Sequence, residues 1–124
     1  MPDRGYGLTF VIGGARSGKS AHAEALVTAL PGPWTYVATA EAYDEEMRER
    51  IAHHRDRRGF GWTTVDAPLD LVGAIEALPA GRPVLIDCLT LWLTNHMLAG
   101  HDVEAECARL ATALSSPRGP WFAV

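Results

Sequence analysis

The chain has 124 residues, a formal net charge of −4 at pH 7 and 48% hydrophobic residues. This length suits one compact domain, residues 1–124, and is too short for two. The acidic balance argues against a protein whose main task is to neutralise a nucleic-acid backbone, and no apolar stretch reaches the roughly 20 residues that a membrane-spanning helix needs.

Strand-like and helix-like segments alternate along the whole chain. Strands are predicted at residues 8–12, 34–39, 62–65, 84–87 and 121–124. Helices are predicted at residues 20–30, 44–58, 69–78, 89–99 and 103–114. The first strand is an unbroken apolar and β-branched run, so we expect it to be buried on both faces. The alternation predicts an α/β fold, a mostly parallel sheet with flanking helices, whose ligands gather at the carboxyl ends of the strands.

The two cysteines, Cys88 and Cys107, are far apart in the sequence. They form no C-x-x-C pair and no Cys/His spacing that would suit zinc. We therefore expect two reduced thiols, which favours a cytoplasmic protein over a secreted one.

A phosphate-binding loop is predicted between the first strand and the first helix, where the sequence fits G-x-x-x-x-G-K-[ST], so the predicted α/β fold is P-loop NTPase-like. It consists of Gly13, Gly14, Ala15, Arg16, Ser17, Gly18, Lys19 and Ser20. The glycines let successive backbone N–H groups face one anion, and the helix adds its positive end. Lys19, the only lysine in the sequence, would contact the β- and γ-phosphates, and the Ser20 hydroxyl would coordinate Mg²⁺. The alternative is a glycine-rich turn with a solvated lysine.

Asp87 follows the apolar run 84–86, where a P-loop protein keeps the carboxylate that holds Mg²⁺ and its waters. The alternative is that Asp87 caps the helix that follows it. The magnesium role is favoured, because the phosphate loop is already present to use the cation.

Arginine and histidine side chains crowd one predicted helix of this otherwise acidic chain. They are Arg48, Arg50, His53, His54, Arg55, Arg57 and Arg58. Helical spacing places His53 one turn from Arg57, and His54 one turn from Arg58, so imidazole and guanidinium groups share a face that could clamp a phosphate. Neutral imidazole is a nucleophile, and either histidine could attack phosphorus. From the residues alone, a phosphate-binding helix with a nucleophilic histidine and a solvated helix end with arginines that suit the helix dipole are equally favoured.

Five segments in this order resemble one known family. They are residues 13–20, 36–40, 44–55, Trp62 and residues 87–95. The family is the bifunctional adenosylcobinamide kinase/adenosylcobinamide-phosphate guanylyltransferase family. The resemblance implies phosphorylation of adenosylcobinamide by GTP or ATP, then transfer of GMP from GTP to adenosylcobinamide phosphate, in cobalamin biosynthesis. It also implies a homo-oligomer, which is a trimer in the family.

The resemblance also implies which residues act. Catalysis would fall to Lys19 and to His53, the first histidine of the pair, which would carry GMP covalently. Nucleotide contacts are implied for the phosphate loop and for Val37, Ala38, Thr39, His54, Arg55, Asp56, Arg57, Asp66 and Asp87. Many relatives have glutamate at the position of Asp66.

Family members continue past the strand predicted at 121–124, so for this chain we expect an open sheet edge and exposed apolar helix faces. Two other functions stay open. One is a P-loop kinase that acts on a different small-molecule hydroxyl, and the other is a nucleotide-binding module without catalysis.

Overall fold

The computed structural model describes residues 6–14, 17–41 and 44–124, except for the side chains of His54 and Arg57. Strands and helices alternate over these residues, except that the last two helices follow one another. They are β1 (Leu8–Phe10), α1 (Lys19–Thr28), β2 (Trp34–Ala38), α2 (Glu45–Arg58), β3 (Trp62–Asp66), α3 (Leu71–Glu76), β4 (Val84–Asp87), α4 (Leu89–Leu98), α5 (Val103–Leu114) and β5 (Trp121–Ala123). The strands form one parallel sheet in the order β1-β5-β4-β2-β3. The predicted α/β fold is confirmed.

The core lies on both faces of the two central strands. On one face, Val37 of β2 and Ile86 of β4 pack with Leu71 of α3, and all three side chains are 0% exposed. On the other face, Leu85 of β4 packs with Val27 of α1. Strands buried on both faces read as continuous apolar runs, which is why β2 and β4 could be located from the sequence.

The prediction that β1 is buried on both faces is wrong. Thr9 and Phe10 are exposed, and Phe10 has 53% of its surface accessible. Among the strands described, β1 pairs only with β5, so it lies at the edge of this sheet and its apolar side chains meet solvent.

The N-terminus of helix α2 is capped by the residue before it. The Asp44 side chain accepts a hydrogen bond from the Met47 backbone N–H at 2.7 Å. The helix ends at Gly59, whose φ of 72° is one that glycine adopts without strain. No helix in residues 6–14, 17–41 and 44–124 is both long enough and apolar enough to cross a membrane.

Candidate active site

A cleft opens where β2 and β4 end beside α2. The register pairs Ala38 with Asp87, so these strands end at the same level. A cavity of about 330 Å³ lies there, lined by the first turn of α1, the two strand ends, α2 and α4. Its lining residues are Ser20, Tyr36, Ala38, Ala40, Met47, Arg50, Ile51, Arg55, Arg58, Asp87 and Leu91. Helix α2 therefore faces the same cavity as the end of the phosphate loop.

The phosphate loop leads into the N-terminus of α1. Gly18 has a φ of 81°, a left-handed conformation that glycine adopts readily, and Lys19 is the first residue of the helix. Lys19 Nζ donates a hydrogen bond to the Gly14 carbonyl oxygen at 3.4 Å. The ammonium group and the positive end of α1 thus lie together, an arrangement that favours an anion.

Ser20 and Asp87 meet across 67 residues of sequence. Ser20 Oγ donates to Asp87 Oδ2 at 3.1 Å, and Tyr36 Oη donates to the same oxygen at 2.7 Å. The capping alternative for Asp87 is wrong, because Cys88 caps α4, with Sγ accepting from Leu91 N at 3.4 Å. The Asp87 carboxylate is directed to the cavity.

These two oxygen side chains suit Mg²⁺. Magnesium in nucleotide enzymes is held by one or two protein oxygens and takes its other ligands from phosphates and water. Because the Ser20 hydroxyl donates a hydrogen bond to Asp87, the lone pairs of the Ser20 oxygen remain available to a cation. The described residues contain no group of three or more His, Cys, Asp or Glu side chains that would form a closed metal cage.

The wall that α2 contributes is positively charged. Arg50, Arg55 and Arg58 all line the cavity. Arg55 Nη2 lies 3.0 Å from Asp66 Oδ1, which ties α2 to the end of β3. The Arg58 guanidinium lies 3.5 Å from the centroid of the Tyr36 ring. Phosphate groups are the ligands that such a wall favours.

Among the predicted nucleotide contacts, several are placed away from the cavity lining or are not described. Outside the described residues or side chains lie Ala15, Arg16, His54 and Arg57. His53 and Asp56 are exposed on α2, the helix that carries the cavity arginines. The role of His53 as the nucleophile stays a prediction.

Two predicted residues of the β2 end are buried. Val37 is 0% exposed within the core, so only its backbone is available to a ligand. The Thr39 hydroxyl donates to the Cys88 carbonyl oxygen at 2.6 Å and accepts from the Cys88 N–H at 2.9 Å. Thr39 therefore holds the chain segment that follows Asp87.

The apolar part of the cavity lining was not predicted from the sequence. Tyr36 of β2 and Met47 and Ile51 of α2 all line it. The spacing of four residues from Met47 to Ile51 and again to Arg55 is a one-face helical pattern that could have indicated the two apolar residues. Tyr36 could have been placed by strand alternation, because it lies two residues before Ala38.

Comparison with known protein families identifies one family. The model of the CobU family, described as cobinamide kinase / cobinamide phosphate guanyltransferase, matches residues 9–124. The chain belongs to this family. The family's description is that of transferases, and the named relatives below serve adenosylcobalamin biosynthesis.

Three curated relatives match the chain. The bifunctional adenosylcobalamin biosynthesis protein CobP of Pseudomonas aeruginosa is 51% identical over 89 residues, which are 71% of this chain and 51% of the relative. Proteins named bifunctional adenosylcobalamin biosynthesis protein CobU are 42% identical in Salmonella typhimurium, over 74% of this chain and 51% of the relative, and 43% identical in Escherichia coli, over 71% and 49%. The matched region spans about half the length of these relatives.

Proposed function

We propose that this chain phosphorylates adenosylcobinamide with a nucleoside triphosphate and transfers GMP from GTP to adenosylcobinamide phosphate, which gives adenosylcobinamide-GDP. One observation supports this most directly: the hydrogen-bonded pair Ser20 and Asp87 and the arginine-bearing face of α2 line one cavity. GTP is the expected main nucleotide, with ATP as an alternative for the kinase step. The family resemblance favours a homo-oligomer, a trimer, and the two cysteines, expected to be reduced thiols, favour the cytoplasm.

In the guanylyl step, a ring nitrogen of His53 attacks the α-phosphorus of GTP. A P–N bond forms, the bond to the bridging oxygen breaks, and pyrophosphate leaves with the electron pair while the ring gives its N–H proton to water. Lys19 and the cavity arginines offset the charge that develops on pyrophosphate. A phosphate oxygen of adenosylcobinamide phosphate then attacks the same phosphorus, and the P–N bond breaks to free a reprotonated His53.

In the kinase step, the hydroxyl of adenosylcobinamide attacks the γ-phosphorus of the nucleotide. A new P–O bond forms, the bond from the γ-phosphorus to the β–γ bridging oxygen breaks, the nucleoside diphosphate leaves with the electron pair, and the hydroxyl proton passes to water. Lys19 and the N-terminus of α1 hold the phosphates in place, and positioning with charge neutralisation carries most of this reaction. Ser20 and Asp87 would hold Mg²⁺, which would supply positive charge to offset the charge on the phosphoryl oxygens.

GTP labelled at the α-phosphorus tests the guanylyl step. We expect label on the protein that survives alkali and is lost in acid, as for a histidine phosphoramidate, and that is released by adenosylcobinamide phosphate. GTP labelled at the γ-phosphorus should leave no label. GTP binding without covalent label would contradict the guanylyl step. Phosphorylation of another hydroxyl would then indicate a different P-loop kinase, and binding without turnover would indicate a module without catalysis.

Replacing Lys19 by alanine is expected to weaken GTP binding about tenfold to a hundredfold, because hydrogen bonds to charged groups contribute about 1.5–3 kcal/mol each. Titration calorimetry measures the effect. Arg109→Ala is the matched control, since it removes one positive charge from α5, where Arg109 pairs with Glu106 at 2.9 Å. Equal weakening by the two variants would contradict a direct contact between Lys19 and phosphate.

A further inference from the structure

The hydroxyl of Tyr36 makes the shorter of the two hydrogen bonds that Asp87 Oδ2 accepts. It donates at 2.7 Å, whereas Ser20 Oγ donates at 3.1 Å. Tyr36 is 7% exposed, yet its side chain reaches the cavity wall. A tyrosine that is buried in this way places one polar atom on the carboxylate and the rest of its side chain in the core.

The ring of Tyr36 is held on more than one side. The Arg58 guanidinium lies 3.5 Å from the ring centroid, and the Trp62 ring meets it edge-on with centroids 6.1 Å apart at 76°. Arg58 is itself positioned by a hydrogen bond from Nη2 to Thr64 Oγ1 at 3.3 Å. Aromatic and cation–π contacts of this kind favour one ring position, so the hydroxyl has a defined location.

Strand geometry explains why a tyrosine at this position reaches Asp87. Tyr36 pairs with Leu85, two residues before Asp87, and Ala38 pairs with Asp87 itself. Alternation places Tyr36 and Ala38 on the same face, and the small Ala38 side chain leaves room for the longer ring to extend along the strand. The register of the two strands therefore brings the Tyr36 hydroxyl to the carboxylate of Asp87.

We propose that Tyr36 is a positioning residue that holds the carboxylate of Asp87 ready for the cation that accompanies the nucleoside triphosphate. The terminal torsion of an aspartate is broad, and two hydrogen bonds to one oxygen restrict it before the cation binds. Outer partners of this kind typically change metal affinity ten- to a hundredfold, because they orient the ligand. The proposal rests on the proposed function, in which Asp87 binds Mg²⁺.

The substitution Tyr36→Phe removes only the hydroxyl and keeps the ring against Arg58 and Trp62. We expect it to lower the affinity for Mg²⁺ in the presence of GTP by about tenfold or more, and to leave GTP affinity in EDTA within about twofold of wild type. Titration calorimetry with GTP, with and without Mg²⁺, measures both. Tyr6→Phe is the matched control, because Tyr6 precedes β1 and is not among the residues that line the cavity. We expect this variant to keep the Mg²⁺ and GTP affinities of the wild type.

A double-mutant cycle with Asp87→Asn separates positioning from packing. If Tyr36 acts through Asp87, adding Tyr36→Phe to the Asp87→Asn protein changes its Mg²⁺ affinity in the presence of GTP by less than twofold. Unchanged Mg²⁺ affinity in Tyr36→Phe overturns the inference, and so does an equal loss of GTP affinity with and without Mg²⁺, because that would be a general effect on the fold. Failure of the proposed function is a different result, namely a wild-type protein that binds no GTP or forms no guanylylated intermediate.

Discussion

Replacing His53 by alanine is expected to abolish covalent attachment of GMP, while His54→Ala is expected to retain it. The methyl group of alanine has no lone pair, so no P–N bond can form at that position. His53 lies exposed on α2, whose arginines Arg50, Arg55 and Arg58 line the cavity. The measurement is protein-bound radioactivity after incubation with GTP labelled at the α-phosphorus and denaturation in alkali.

Measurements of GTP affinity show whether a variant without label has lost the covalent reaction or has lost GTP binding. GTP affinity of His53→Ala should stay within about threefold of wild type, because an exposed side chain whose role is nucleophilic contributes little to ground-state binding. His101→Ala, an exposed histidine beyond α4, is the control and should label normally. Loss of label in His54→Ala alone would assign the nucleophile to His54. Full labelling of both variants would show that the histidine interpretation is wrong.

The order and type of the elements could be predicted because their signals are local. The apolar runs of β2 and β4 and the switch to helical spacing after the phosphate loop are visible within about ten residues of sequence. The burial of β1 could not be predicted, because it depends on which strands pair. Phe10 belongs to a run that is typical of a central strand, yet β1 lies at the edge of the described sheet.

The site likewise has a part that local sequence patterns predict and a part that they do not. The phosphate loop is a continuous motif, and the meeting of Ser20 with Asp87 follows from the rule that parallel strands end at the same edge of the sheet. The contact of Tyr36 with Asp87 depends on the register of β2 against β4 and on the length of one side chain. No short pattern encodes that register, so Tyr36 was not predicted as a site residue.

The centre of the sheet sets the stability on which this site depends. Ile86 is 0% exposed on β4, between β2 and β5, and it immediately precedes Asp87. Ile86→Ala is therefore expected to lower the free energy of unfolding by about 3 kcal/mol, within the range of about 2–5 kcal/mol for such truncations, because it removes buried methyl groups and leaves a cavity. Urea unfolding followed by tryptophan fluorescence measures the change.

A matched truncation at the surface shows how much of the lost stability comes from core packing and how much from side-chain size alone. Leu98 at the end of α4 is 70% exposed, so Leu98→Ala removes a side chain of similar size at a cost within about 0.5 kcal/mol. A cost below about 1 kcal/mol for Ile86→Ala would contradict close packing around β4. Because the same strand carries Asp87, loosened packing at Ile86 should also weaken Mg²⁺-dependent GTP binding in the molecules that remain folded, whereas Leu98→Ala should leave that binding unchanged.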